Sequence, residues 1–105
     1  MYAIAIIRYR RPLEEVLAVT DRHRAYLKDL KLQGTLVASG PMDPRTGGIL
    51  LLHFPDGSRL PARLDAIRDG DPYVIEGVAQ YELIPWAVNT GKDDLDKALL
   101  RAEAF

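Results

Sequence analysis

The sequence predicts an α+β domain in which one antiparallel sheet carries helices on a single face. Three observations lead there. Four short segments rich in Ile, Val and Leu, too short for helices, recur along the chain between Pro and Gly residues. Two amphipathic segments with helical spacing separate the first strand from the second and the third from the fourth. A further amphipathic segment follows the last strand.

In order, Tyr2 to Tyr9 reads as a buried strand. Arg10-Arg11-Pro12 breaks it. Pro12 suits the first turn of a helix, and Glu14 and Glu15 follow where the helix dipole favours acids, so a helix is expected from about Pro12 to Lys31, stopping before Gly34. Thr35 to Ser39 is a second strand ended by Gly40-Pro41, and Met42 to Gly48 a turn-rich connection. Ile49 to Phe54 is a third strand, pairing with the second as a hairpin. After the Pro55-Asp56-Gly57-Ser58 turn, Pro61 opens a short helix with Leu60, Leu64 and Ile67 on one face, ended by Gly70. Pro72 biases Asp71 toward an extended backbone. A turn at Val74 to Gly77 leads into Val78 to Ile84, which alternates as a half-buried strand ended by Pro85. Beyond Gly91, Asp93, Asp94 and Asp96 form an acidic start for a last helix carrying Leu95, Leu99 and Ala102 on one side. This is the ferredoxin-like βαββαβ order plus a C-terminal helix. The second face of such a sheet needs cover, which two subunits stacked sheet on sheet would supply. A C2 homodimer or a higher homo-oligomer is therefore expected.

The totals bound the function. A chain of 105 residues is one domain. With 48% hydrophobic residues it is globular rather than disordered. A net charge of -1 supplies no basic field for nucleic acid. Cysteine is absent, which removes disulfide and thiolate chemistry and suits the cytoplasm. No export signal is visible at the start of the sequence, and no apolar run approaches the ~20 residues that span a bilayer.

Within the first helical segment, Leu13, Val16, Leu17, Thr20, Leu27 and Leu30 fall on one side and Glu14, Asp21, Arg22, Lys28 and Asp29 on the other. His23 lands in the middle of the apolar side. A buried imidazole must find a hydrogen-bond partner or a ligand. Taken alone, such a histidine is most simply a satisfied core residue, Asp71 before Pro72 a turn former, and Gly40-Pro41 a strand terminator. Tyr26 and Tyr73 read as packing, with Tyr73 also able to form a wall, and Arg22 and Arg24 as a solvated helix edge or as ion pairs of little energetic value with nearby acids. His23 and His53 lack a Cys- or Glu-rich frame, so no metal is expected.

Arg22-His23-Arg24-Ala25-Tyr26-Leu27, Gly34, Ala38-Ser39-Gly40-Pro41, Asp71-Pro72-Tyr73 and Ile84-Pro85-Trp86 occur in that order. Together they resemble the YciI family (YCII-related domain). The likeness covers about residues 1 to 88 and leaves 89 to 105 as a C-terminal helical extension on which the family is silent. It implies a dimeric α+β barrel of ferredoxin-like subunits, similar in fold to muconolactone isomerase and small cofactor-free monooxygenases. Family members with a known activity include a dehydrochlorinase acting on a chlorinated hydroxyquinol. The family's pocket carries a His-Asp pair, whose positions match His23 and Asp71, and a Ser-Gly-Pro turn matching Ser39, Gly40 and Pro41. Tyr73 stands where the family more often has Phe, adding a hydroxyl to that wall.

These residues make a coherent acid–base hypothesis. Histidine exchanges a proton near neutrality, and a carboxylate on one ring nitrogen fixes the tautomer and stabilises the imidazolium. The expected activity, with no cofactor, is proton abstraction, elimination or isomerisation on a small molecule. His23 and Asp71 would be catalytic, and Ser39, Gly40, Pro41 and Tyr73 would contact substrate. Arg8 is a candidate anion anchor. The alternative is a ligand-binding or accessory protein with the same pocket and no turnover.

Overall fold

The computed structural model describes residues 1–103, and the side chains of residues 1–99. The elements are β1 (Tyr2–Tyr9), α1 (Leu13–Leu17), α2 (Thr20–Leu32), β2 (Leu36–Pro41), β3 (Gly47–His53), α3 (Leu60–Gly70), α4 (Pro72–Ile75), β4 (Ala79–Trp86) and α5 (Lys92–Glu103). The strands form one antiparallel sheet ordered β2-β3-β1-β4, the ferredoxin-like arrangement.

Alternation assigns the two faces. Ala3, Ala5 and Ile7 of β1 and Leu50 and Leu52 of β3 are buried in one core with Val16, Leu30, Leu64 and Ile67 from the helices. Ile4, Ile6 and Leu51 lie on the other face with the more exposed Ile49, Ile84 and Trp86. The sheet is thus apolar on both sides, while α1 to α4 serve only one.

The single helix expected from Pro12 to Lys31 is two. Val19 N–H donates to the Val16 carbonyl at 3.0 Å, and the Thr20 hydroxyl donates to the same oxygen at 2.9 Å. The Thr20 side chain thus competes for the carbonyl that would continue the helix, and the chain breaks at Ala18-Val19. The break changes the phase. Leu13 and Leu17, expected inside, are 43% and 49% exposed, and Val19 is buried instead.

The strands also depart from expectation. Gly40 and Pro41 belong to β2 instead of ending it, and β3 begins two residues early at Gly47. Pro85 lies within β4, opposite Ala3. It is tolerated because β4 is an edge strand, so its missing N–H can face away from β1. A bulge in β2 between Leu36 and Ala38 shifts the register against β3: Leu36 opposes Leu52, whereas Ser39 opposes Leu50. Residues directly opposed share a face, so the extra residue turns Ser39 toward the helices.

The last helix forms as expected, with Leu99 buried; Ala102 lies outside the described side chains. It returns over the face opposite α1 to α4. Tyr2 shares the Ile4 and Ile6 side of β1, and its hydroxyl donates to the Asp96 carboxylate at 2.7 Å. Burial, then the Asp96 hydrogen bond and charge, push the Tyr2 phenol up to about 12, so it remains a donor.

Two outcomes follow from this packing. A Cβ at Gly47 would lie 1.9 Å from the Ile7 carbonyl oxygen, whereas one at Gly40 meets nothing within 4 Å. Gly47→Ala should cost more than about 2 kcal/mol in urea unfolding and Gly40→Ala less than about 0.5 kcal/mol. Tyr2→Phe should raise amide exchange in residues 92–99 while leaving β1 and β3 protected; unchanged exchange in α5 would show that the Asp96 bond does not hold it.

Candidate active site

Asp71 sits where α3 gives way to α4. Its backbone is extended, φ -74° and ψ 126°, as a residue before proline should be, and its carboxylate accepts the Tyr73 N–H at 2.9 Å, capping α4. The residue is 0% exposed. Such a carboxylate needs donors on all sides. It receives the Tyr73 N–H, the Tyr81 hydroxyl and His23 Nδ1, whose distances to the two oxygens are 2.8 and 2.9 Å. A carboxylate offers acceptors to these donors, so Nδ1 carries the proton.

His23 is 8% exposed on α2, its ring stacked on Tyr73 with centroids 3.8 Å apart and planes at 7°. Tyr73 is itself held: its hydroxyl lies 2.8 Å from Thr20 Oγ1. The single Thr20 proton goes to the Val16 carbonyl, so Tyr73 donates to Thr20. The residue that breaks the helix thereby also supports the ring under His23. With Nδ1 bound to Asp71, Nε2 has no hydrogen bond to the described residues. No buried polar side-chain atom is left unpartnered among them, so Nε2 reaches open space.

That space is a cavity of about 240 Å³ between α2 and the sheet. Its size, below the ~300 Å³ at which drug-sized pockets begin, suits a small molecule. Ile7, Leu27 and Leu50 give it apolar walls. Thr20, His23 and Arg24 come from α2, Ser39, Gly40 and Pro41 from β2, and Gly47 to Ile49 from β3, with Tyr9, Arg45 and Tyr73 completing the lining. Of the residues expected at the site, His23, Ser39, Gly40, Pro41 and Tyr73 therefore meet at one cavity, and Asp71 stands behind His23. Arg8 does not join them. It projects from the opposite face of the sheet and pairs with Glu82 at 2.7 Å, because strand alternation sends residue 8 the other way from Ile7 and Tyr9. The turn-forming and His-binding roles of Asp71 coexist, since one oxygen can serve both Tyr73 N–H and Nδ1. Tyr26 packs, its hydroxyl donating to the Ile67 carbonyl at 2.7 Å.

Several participants lay outside the sequence-based set. Tyr81 reaches Asp71 from β4; its place on the Ala79–Leu83 side of the strand was legible, and a tyrosine on a buried face needs a partner for its hydroxyl. Burial first, then the charge and hydrogen bond of Asp71, push the Tyr81 phenol far above its ordinary value, so it persists as a donor. Burial also raises Tyr73, and with the Asp71 charge lifts Tyr26 to about 12. Arg24, read as a solvated edge, lines the cavity, and Arg45 enters from the connection between β2 and β3, for which no sequence signal stood out. Among the described residues, no group of three or more His, Cys, Asp or Glu side chains could hold a metal ion.

Among solved structures, the fold is similar to the 5-chloro-2-hydroxyhydroquinone dehydrochlorinase TftG from Burkholderia phenoliruptrix AC1100, in complex with 2,5-dihydroxybenzoquinone. The identity is 21% over 85% of this chain and 96% of that chain, with a TM-score of 0.67. A comparison with curated proteins gives no match. The model of the YCII-related domain matches residues 1–87, and the chain belongs to that family.

Proposed function

We propose that the protein is a small enzyme that moves a proton on a small-molecule substrate without a cofactor, with His23 as general acid–base and Asp71 as its positioning residue. The observation that carries this reading is an imidazole with one nitrogen fixed by a buried carboxylate and the other open to a cavity. Nε2 takes a proton from a carbon next to a carbonyl, or from a phenolic hydroxyl. The imidazolium formed is stabilised by Asp71, which Tyr81 and the Tyr73 N–H hold in place. The Ser39 hydroxyl and the chain at Gly40 and Pro41 bind a substrate oxygen, glycine allowing close approach to the backbone. Nε2–H then returns the proton to another atom, giving isomerisation, or a leaving group departs, giving elimination. The similarity in fold to a dehydrochlorinase that binds a dihydroxybenzoquinone favours oxygenated six-membered rings as substrates. Residues 1–88 form the catalytic unit in this reading, and 89–105 its extension.

We also propose that the Ile4–Ile49–Ile84 face is covered by a second copy of the chain. Ile49 of β3, at 46%, and Ile84 and Trp86 of β4 stand exposed there, with half-buried Ile4 and Ile6 of β1 between them, and the residues of one copy can oppose those of another across a two-fold axis.

Deuterium incorporation from D2O into a panel of enolisable ring ketones and hydroxylated quinones tests the chemistry by NMR. The wild type should exchange at least one compound above background, with His23→Ala and Asp71→Asn each lowering the rate by at least about 10²-fold while circular dichroism is unchanged. Exchange that survives both substitutions overturns the dyad. Saturable binding without exchange or turnover on any compound would instead give a ligand-binding protein. Light scattering tests the pairing: a molar mass of twice the chain's 11.7 kDa is expected, falling to one chain for Ile49→Lys.

A further inference from the structure

The cavity beside His23 is positively charged and contains no exposed acid. Arg24 and Arg45 line it, and no Asp or Glu does. Five arginines elsewhere are neutralised, Arg8 by Glu82, Arg11 by Glu15, Arg22 by Glu76, Arg63 by Asp56, and Arg68 by Asp65 and Asp69, whereas Arg10 bonds the neutral Gln80 and Arg59 has no ion pair among the described residues. Among the described residues Arg24 and Arg45 pair with no carboxylate. Asp71, the acid that His23 contacts, is sealed behind it and committed to its own donors.

Arg45 is also oriented. Its Nε donates to the Tyr9 hydroxyl at 3.2 Å. The Tyr9 ring meets the Tyr73 ring edge-on, centroids 6.0 Å apart at 83°, and Tyr73 stacks on His23. A chain of packed rings thus relates the guanidinium to the imidazole. Tyr9 takes Nε and the Tyr73 hydroxyl also interacts with the guanidinium, which leaves other N–H donors of its fork for the oxygens of a carboxylate.

Resting on the acid–base reading of this same cavity, we infer that its substrate is a carboxylic acid built on a single ring or a similarly compact apolar body. Arg45 clamps the carboxylate, Arg24 adds a second positive charge, and the reacting position is presented to His23 Nε2. Ile7, Leu27 and Leu50 supply the apolar surface for the body of the molecule. Arg45 is then a specificity-determining residue, and Tyr9 the residue that positions it.

Benzoate, benzamide and phenol serve as probes, since they share one ring and differ in charge and in the number of acceptor oxygens. Binding is followed by calorimetry and by the shifts of pocket amides in the full-length protein. Benzoate should bind at least tenfold tighter than benzamide or phenol, and more weakly as salt rises. Arg45→Gln should weaken benzoate at least tenfold and leave benzamide unchanged, Arg24→Gln should weaken it by less, and Arg68→Gln, far from the cavity, should leave it as in the wild type. Tyr9→Phe should weaken benzoate a few-fold with benzamide again unaffected. Equal affinity for benzoate and benzamide, tighter binding of phenol, absence of benzoate binding, or an Arg45→Gln variant that binds benzoate normally would each overturn the inference. The two readings fail separately. Benzoate binding that depends on Arg45 in a protein lacking His23-dependent exchange would remove the acid–base chemistry and keep the anion site. His23-dependent exchange on neutral ketones, indifferent to Arg45→Gln, would do the reverse.

Discussion

A carboxylate with no access to water organises this molecule. Burying an ionised group is costly unless donors replace the water it loses, and removing one partner leaves the charge exposed to a low dielectric. The donors to Asp71 come from three separated parts of the chain: His23 on α2, the Tyr73 N–H at the start of α4, and Tyr81 on β4. Each must be in place for the others to be tolerated. The requirement ties the helical layer to the edge of the sheet at one point, and it fixes the imidazole tautomer as a consequence. Stability and chemical competence here have the same source.

Two local irregularities then shape the cavity around that point. The Thr20 hydroxyl interrupts the first helix and supports Tyr73, whose ring lies flat against His23. The bulge in β2 turns Ser39 from the outer to the inner face, opposite Leu50. A continuous helix and a regular strand would have put Leu13 and Leu17 inside and Ser39 outside. Both departures cost regular hydrogen bonding, and both occur on the elements that line the cavity, where positioned side chains matter more than ideal ladders.

The sheet divides two kinds of surface. On the helix side, unneutralised guanidinium groups converge on a small space with apolar walls. On the other, isoleucines and Trp86 stand in rows, and α5 meets Tyr2 through Asp96. Arg8 illustrates how sharply alternation separates them: one residue from Ile7, it belongs to the outer face and is spent on Glu82. A charge belongs to a site only if the pleat sends it there.

The sequence alone determined the element order, the antiparallel architecture, the buried face of the short helix and the placing of His23 among apolar neighbours. These depend on hydrophobic period and on Pro and Gly, which act over a few residues and are read locally. It also carried, through short motifs in fixed order, the family to which residues 1–87 belong. It did not contain in readable form the split of the first helix, the passage of β4 through Pro85, the inward turn of Ser39, the Tyr81 bond to Asp71 or the presence of Arg45 in the cavity. Each of these depends on what a distant segment offers: a partner strand on one side only, a register shift against β3, a carboxylate ten residues from Tyr81 along the chain but adjacent to it in space. Local pattern specifies which face a residue prefers; only the packed structure specifies what that face meets.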